Sequence, residues 1–341
     1  LIIDPHGEYI SLKYENRKGE ERKQMEKFGI SPKGYASQVV VYTPSNFTIN
    51  PTADKLFRID GINLSVTELY DFFPLSDAQL GVLYQCINDI KAKKEFYTIE
   101  DIIKGAAASR SSAKWRIIHF LERIRETGIL SDSPTRIEEL VKVGKACIID
   151  MKGVGPKLQQ FIVYRLCKEV FEGRKMGKIP PFMLVIEEAH NFCPERGFGQ
   201  AVSSNVLRTI ASEGRKFGLG MLVISQRPAR VDKNVISQCN TQIILKVTNP
   251  NDIKALSRGL EVMSSEMEEE IKRIPQGVAL LSSPSIEMPI LVDVRVRRSE
   301  HGGRAAEMEA EGSTEFESEG DAEEDREREG RKSMLARLLL E

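Results

Sequence analysis

Apolar and polar positions along the chain fall into two alternating rhythms. Short runs rich in Val, Ile and Leu, bounded by turn residues, predict strands at residues 1–4, 38–43, 145–150, 182–187, 220–226, 241–247, 278–282 and 289–295. Between the middle ones the apolar spacing widens to three or four and predicts helices at 157–173, 203–217 and 252–259. Strands alternating with such helices predict an α/β fold built on a mostly parallel sheet with crossover helices.

Residues 64–130 break this rhythm. Their periodicity is helical throughout, over 65–73, 76–93, 99–105 and 111–127, with Ser or Thr near the starts as caps. They predict an all-helical subdomain inserted between two strands, with Trp115, Ile118, Phe120, Leu121 and Ile124 mostly facing its core. Residues 16–27 are highly charged and predict a solvated helix or loop. Beyond about residue 300 Glu, Gly, Ala and Ser dominate, which predicts disorder. The apolar run 334–340 reads equally as a docking helix or a frayed tail. The expected organisation is therefore a core in two parts, 1–63 and 131–298, a helical insertion at 64–130, and an acidic tail at 299–341.

Composition narrows the class. A chain of 341 residues, 41% hydrophobic and 29% charged, suits a soluble globular protein. No apolar run reaches the length a membrane span needs, so no membrane association is expected. The five cysteines form no C-x-x-C pair, a pattern of a reducing, cytoplasmic compartment. His190 and Cys193 have a tempting spacing for zinc, but no second pair accompanies them. Residues 301–341 hold 6 basic against 13 acidic side chains, a net of −7, so the remainder carries +6 within the overall −1. A mildly basic body is compatible with a polyanionic partner and equally with an ordinary surface.

The candidate chemistry lies at strand ends. Met183-Leu184-Val185-Ile186 runs into Glu187 and Glu188; Glu213-Gly214-Arg215-Lys216-Phe217-Gly218 precedes Met221-Leu222-Val223-Ile224, which runs into Ser225-Gln226-Arg227-Pro228. Carboxyl ends of parallel strands share one edge, where ligands bind. One acid there can hold Mg²⁺ and its neighbour can polarise a water, while Arg215 or Arg227 supplies positive charge to a γ-phosphate. These are the parts of an ATP-hydrolysing site. Strand-terminal acids are also common as plain polar strand ends.

Two features stand apart. The chain opens at Leu1 inside an apolar strand that enters Asp4-Pro5-His6-Gly7-Glu8-Tyr9. No G-x-x-x-x-G-K-[ST] phosphate loop is present, since Gly144-Lys145 is followed by Ala146 and lacks the upstream glycine. The expectation is that an element carrying that loop belongs before residue 1.

The ordered blocks Ile2–Tyr9, Leu184–Phe192, Glu213–Gly218, Ser225–Pro228 and Gln238-Cys239-Asn240-Thr241-Gln242 resemble the archaeal HerA DNA translocases of the FtsK–HerA group of RecA-like motor ATPases, over roughly residues 1–298. The resemblance implies a homo-hexameric ring that moves along double-stranded DNA using ATP and Mg²⁺. It also implies partnership with a NurA-type nuclease and a recombination nuclease complex in DNA end resection. It puts Glu187 at the Walker B position and Glu188 at the water, with Asp4 and Glu8 beside the phosphate loop, reaching Mg²⁺ or the water. Arg215 resembles a finger-type arginine, Gln226 a sensor, and Arg227 can exchange roles with Arg215; Gln238 and Asn240 recur without a clear task. Lys152 and Lys157 in one loop region, and Arg196 in another, are candidates for phosphate contacts with DNA. Without the phosphate loop the chain alone is expected to be inactive. Two other readings remain: a non-hydrolysing ring or scaffold subunit binding DNA or a partner, and a related DNA-pumping ATPase.

Overall fold

Six short apolar segments pair into one parallel sheet. In the computed structural model, which describes residues 1–72, 75–257 and 265–302, the strands in chain order are β1 Ile2–Asp4, β2 Val39–Thr43, β3 Lys55–Leu56, β4 Ile59–Asp60, β5 Leu130–Ser131, β6 Ala146–Asp150, β7 Phe182–Ile186, β8 Leu219–Val223, β9 Gln242–Ile244, β10 Val278–Ser282 and β11 Ile290–Asp293. The main sheet has the order β3-β2-β6-β1-β7-β8. Apart from the two-residue edge strand β3, its sequences are nearly continuous apolar runs, as parallel strands favour, although Met183 of β7 and Leu222 of β8 remain exposed. Ile3, Ile148, Ile149, Leu184 and Ile186 are essentially inaccessible.

The helices are α1 Gly19–Lys27, α2 Val66–Phe72, α3 Asp77–Lys91, α4 Ile99–Ala108, α5 Lys114–Glu126, α6 Ile137–Leu140, α7 Pro156–Lys175, α8 Ser204–Glu213, α9 Lys233–Ile236, α10 Pro250–Ser257 and α11 Ser265–Arg273. The crossover from β6 to β7 runs through α7, whose Phe161, Ile162, Val163, Leu166, Cys167 and Val170 are buried. The crossover from β7 to β8 runs through α8, with Leu207 and Ile210 buried.

Helices α2 to α5 lie between β4 and β5, and these two strands pair parallel at the base, Ile59 with Leu130 and Asp60 with Ser131. Glu68 of α2 forms an ion pair with Arg165 of α7, tying these helices to the sheet layer. Two entries into the group are capped as the sequence suggests: the Ser76 amide donates to Gln79 Oε1 at 3.0 Å and the Thr98 amide to Asp101 Oδ2 at 3.1 Å.

Two expectations are corrected. Trp115 does not face the helical core but is 67% exposed, with Lys114 Nζ 5.4 Å above its ring. The buried stripe of α5 is Ile117, Ile118, Phe120, Leu121 and Ile124, and position 115 lies on the opposite side of the wheel. Strands β9, β10 and β11 do not extend the parallel sheet but form an antiparallel sheet of their own, in the order β11-β10-β9. The connection from Ser282 to Ile290 is far shorter than a parallel crossover needs. The tail beyond residue 302, including the apolar run 334–340, lies outside the described residues. No helix among the described residues is long and apolar enough to cross a membrane.

Candidate nucleotide site at the sheet edge

Register aligns the strand ends in one row. Asp4 pairs level with Asp150, Ile3 with Ile186, and Ile186 with Val223. Asp150, Asp4, Glu187 and Ile224 therefore sit side by side on the carboxyl edge, where a parallel sheet binds ligands.

At the end of β1 the chain turns sharply around Asp4. This fully buried carboxylate accepts the amides of His6 (3.2 Å) and Gly7 (2.8 Å) on Oδ1 and that of Tyr9 (2.9 Å) on Oδ2. Gly7 has φ +78°, and a Cβ there would stand 3.0 Å from Asp150 Oδ1, so the turn presses on the neighbouring strand end. Asp4 is thus spent on organising this turn, which favours a structural role as a capped strand end over direct coordination of a metal. Glu8 projects from the same turn and is exposed.

The turn delivers Tyr9, whose hydroxyl donates to Glu187 Oε2 at 2.5 Å. Burial holds the Glu187 carboxyl above the usual range, opposed by the Tyr9 hydrogen bond and reinforced by the charges of Glu188, Glu8 and Asp4. The same burial, with Glu187 alongside, raises the Tyr9 phenol, so it stays a donor at neutral pH. Asp150 is likewise raised by burial, with Asp4 adding to the effect.

Glu188 is in an unusual state. Its backbone is left-handed, with φ 48° and ψ 47°, a conformation that costs a non-glycine residue about 1 kcal/mol or more. Its side chain is buried, yet Oε2 has no hydrogen-bond partner. His190 Nδ1 lies 3.1 Å from that oxygen without being aligned to bond it, and instead lies 3.0 Å from Ser225 Oγ. Burial lowers the imidazole below its ordinary value, against the pull of Glu188 and helped by Arg227, Arg230 and His6, so it is neutral at pH 7. Cys193 is buried, with Sγ donating to Ala189 O and its thiol pushed up to about 12 by burial.

Beyond β8, Gln226 and Arg227 are exposed at the same edge, and the Arg227 amide donates to Ser225 Oγ at 3.0 Å. Arg215 is not there. It lies in the 3₁₀ turn Gly214–Phe217 that precedes β8, and Phe182 of β7 is level with Leu219. The five-residue strand between the two ends spans roughly 13 Å. The tight turn depends on Gly214, where a Cβ would come within 2.7 Å of Leu219 O. Within one chain, then, Arg215 is exposed on the amino edge, and the expectation that it shares a rim with the acids is overturned.

The candidate DNA-contacting residues follow strand ends on the carboxyl edge. Lys152 is exposed between β6 and α7, its amide donating to Asp150 Oδ1 at 3.0 Å, and Lys157 is exposed in the first turn of α7. Arg196 is exposed between β7 and α8. Its loop is pinned to the segment after β8: the Glu195 amide donates to Arg230 O at 2.8 Å, and the Arg230 guanidinium sits 5.5 Å over the exposed Phe198 ring.

Among the described residues no three His, Cys, Asp or Glu side chains are grouped to hold a metal by themselves. The carboxylate of Glu187, with the charges of Glu188, Glu8 and Asp4 acting on it, suits Mg²⁺, which keeps several waters and takes one or two carboxylates alongside phosphate oxygens.

Comparison with known proteins fits this geometry. The sequence model described as helicase HerA, central domain, matches residues 1–170. The DNA double-strand break repair helicase HerA of Sulfurisphaera tokodaii is 24% identical over 310 residues, covering 86% of this chain and 58% of that protein. Its counterpart from Saccharolobus solfataricus is 25% identical over 304 residues, with the same coverage of 86% and 58%. The chain belongs to the HerA helicase family. It spans about 58% of the length of these HerA relatives. Among solved structures, VirB4 of Thermoanaerobacter pseudethanolicus shares the fold, with a TM-score of 0.56 at 14% identity over 87% of this chain and 81% of that one.

Within this HerA-family chain the edge holds residues that motif reading passed over. Asp150 ends β6 in Ile-Ile-Asp, as Asp4 ends β1, a repeated signal legible in the sequence. Tyr9, Ser225 and the orientation of His190 carry no such signal, because their roles depend on which strands become neighbours.

Proposed function

We propose that this chain forms the motor part of an ATP-driven translocase or helicase acting on double-stranded DNA, in end resection and recombinational repair. The observation that carries this reading is Glu188: a buried carboxylate with an unpartnered oxygen, on a strained left-handed residue, at the ligand-binding edge of a parallel sheet. A free carboxylate oxygen poised there suits a general base. Water attacks the γ-phosphorus as Glu188 takes its proton, the bond from that phosphorus to the bridging oxygen breaks, ADP leaves, and the proton passes to solvent. Glu187, held by Tyr9, is the proposed partner of Mg²⁺, which would neutralise charge on the phosphate oxygens. Gln226 is proposed to sense the phosphate and Arg227 to add positive charge.

The position of Arg215 bears on assembly. An arginine on the amino edge acts on phosphate only when a neighbouring copy presents it, as head-to-tail contacts around a ring allow. This supports a homo-hexamer in which Arg215 completes the next copy's site. Lys152, Lys157 and Arg196 are proposed to hold the phosphate backbone of DNA. A NurA-type nuclease and the recombination nuclease complex are the proposed partners, and the cytoplasm the proposed location. The HerA relatives' description as double-strand break repair helicases supports the resection role.

The test is DNA-stimulated ATP hydrolysis by the protein with whatever segments flank these residues, with and without Glu188→Gln. A fall of about 10²-fold or more supports the general base; full activity in that variant removes Glu188 from the role. The 341 residues contain no phosphate-loop lysine, and by themselves they are expected to show no turnover. Turnover by the isolated chain would overturn that expectation.

A further inference from the structure

We infer that His190 is a positioning residue that links the segment after β8 to the oxygen of Glu188 that receives the proton. The inference rests on the proposed ATPase reading and adds to it a device that sets the acid's readiness.

His190 Nδ1 has two oxygens within reach, Ser225 Oγ at 3.0 Å and Glu188 Oε2 at 3.1 Å, and is aligned only to the first. In the tautomer this inference assigns, the single N–H of the neutral imidazole sits on Nδ1, which can then satisfy only one acceptor at a time. While Ser225 engages it, the buried Oε2 is left open for water. When it turns to Glu188, that oxygen is capped. The left-handed backbone at Glu188 and the 3₁₀ turn Ala189–Asn191 hold the carboxylate and the ring on one short, stiff segment, so a small shift changes the partner.

Ser225 is not isolated. Its hydroxyl also takes the Arg227 amide at 3.0 Å, and three residues on, Arg230 holds the loop bearing Arg196 and Phe198 through its carbonyl and its guanidinium. A displacement of that loop therefore reaches Ser225 through two turns of backbone, and Glu188 through His190. Contiguity of contacts is not itself coupling, and the measurement must show it.

The experiment is a double-mutant cycle in the protein with whatever segments flank these residues, using His190→Asn, Ser225→Ala, the double variant, and Ser225→Thr, with Glu188→Gln as control. Duplex DNA serves as the stimulating ligand. Ser225→Ala, which frees the ring to cap Glu188, is expected to lower kcat about tenfold with KM for ATP within about twofold; that loss should disappear in the double variant, where the ring is gone, and Ser225→Thr should restore the rate. A second readout needs no turnover. The ¹⁵N shift of His190 Nδ1 should change in Ser225→Ala and return in Ser225→Thr.

A loss that persists in the double variant, a rise in KM instead of a fall in kcat, or an unchanged Nδ1 shift in Ser225→Ala each overturn the inference. Wild-type protein lacking ATPase activity, or an active Glu188→Gln, defeats the underlying reading instead. Normal ATPase lost in Glu188→Gln but kept in Ser225→Ala defeats this inference alone.

Discussion

Removing the Asp4 carboxylate separates its structural role from a catalytic one. It accepts three backbone amides in a fully buried turn, at 2.8 to 3.2 Å. Hydrogen bonds to a charged group contribute about 1.5–3 kcal/mol each, but three sharing one carboxylate are not additive, so Asp4→Ala should cost about 4 kcal/mol. Asp4→Asn keeps an acceptor for His6 and Gly7 while turning an NH₂ group toward the Tyr9 amide, and should cost about 2 kcal/mol. The assay is urea unfolding followed by far-ultraviolet circular dichroism. Both variants should also loosen Tyr9 and, through it, Glu187, so activity falls along with stability. Wild-type unfolding midpoints combined with lost ATPase would refute the structural reading and return Asp4 to the metal or the water.

Other outcomes follow from the same geometry. Asp232, buried and bonded by Arg208 Nε and the Asn234 amide at 2.8 Å each, is pushed up by burial, but these partners outweigh that and hold its carboxyl below the ordinary value. The folded form then binds the proton less well than the unfolded one, so its contribution is complete above about pH 4 and is lost as pH falls through the lower folded value. Asp232→Asn should cost about 2 kcal/mol at pH 7 and flatten the urea midpoint below about pH 4; an unchanged acid limb would count against the pair. Trp115, the only tryptophan, should emit as a water-exposed indole, be quenched by iodide, and tolerate Trp115→Ala within about 0.5 kcal/mol. Blue-shifted, protected emission would contradict its placement.

The contrast between sequence and structure is instructive by element. Apolar runs located every strand of three or more residues among the described ones, because β-branched and apolar runs bounded by turn residues mark strands even where, as in β11, most of the residues are exposed. The partner of each strand was not legible. Segments 278–282 and 289–295 look like the parallel strands before them, and only the short link between them reveals a separate antiparallel sheet. Motif order drew attention to Glu187, Glu188 and Gln226, which do reach one edge. It also drew Arg215 to that edge, although the residue precedes its strand and so lies on the opposite one. Trp115 was misread because an aromatic in a helical run suggests core, whereas its angular position decides its exposure. The Tyr9–Glu187 and His190–Ser225 contacts join residues 178 and 35 positions apart, and no spacing rule anticipates them.

The most direct measurement mixes two variants of the assembled protein. Glu188→Gln and Arg215→Ala should each abolish DNA-stimulated ATP hydrolysis when assembled alone. If one copy supplies the acid and the next supplies the guanidinium, equal mixing restores complete sites at about a quarter of the interfaces, and activity should reappear in that proportion. Mixed assemblies as silent as their parents would contradict a site shared between copies, and an active Glu188→Gln parent would contradict the site itself.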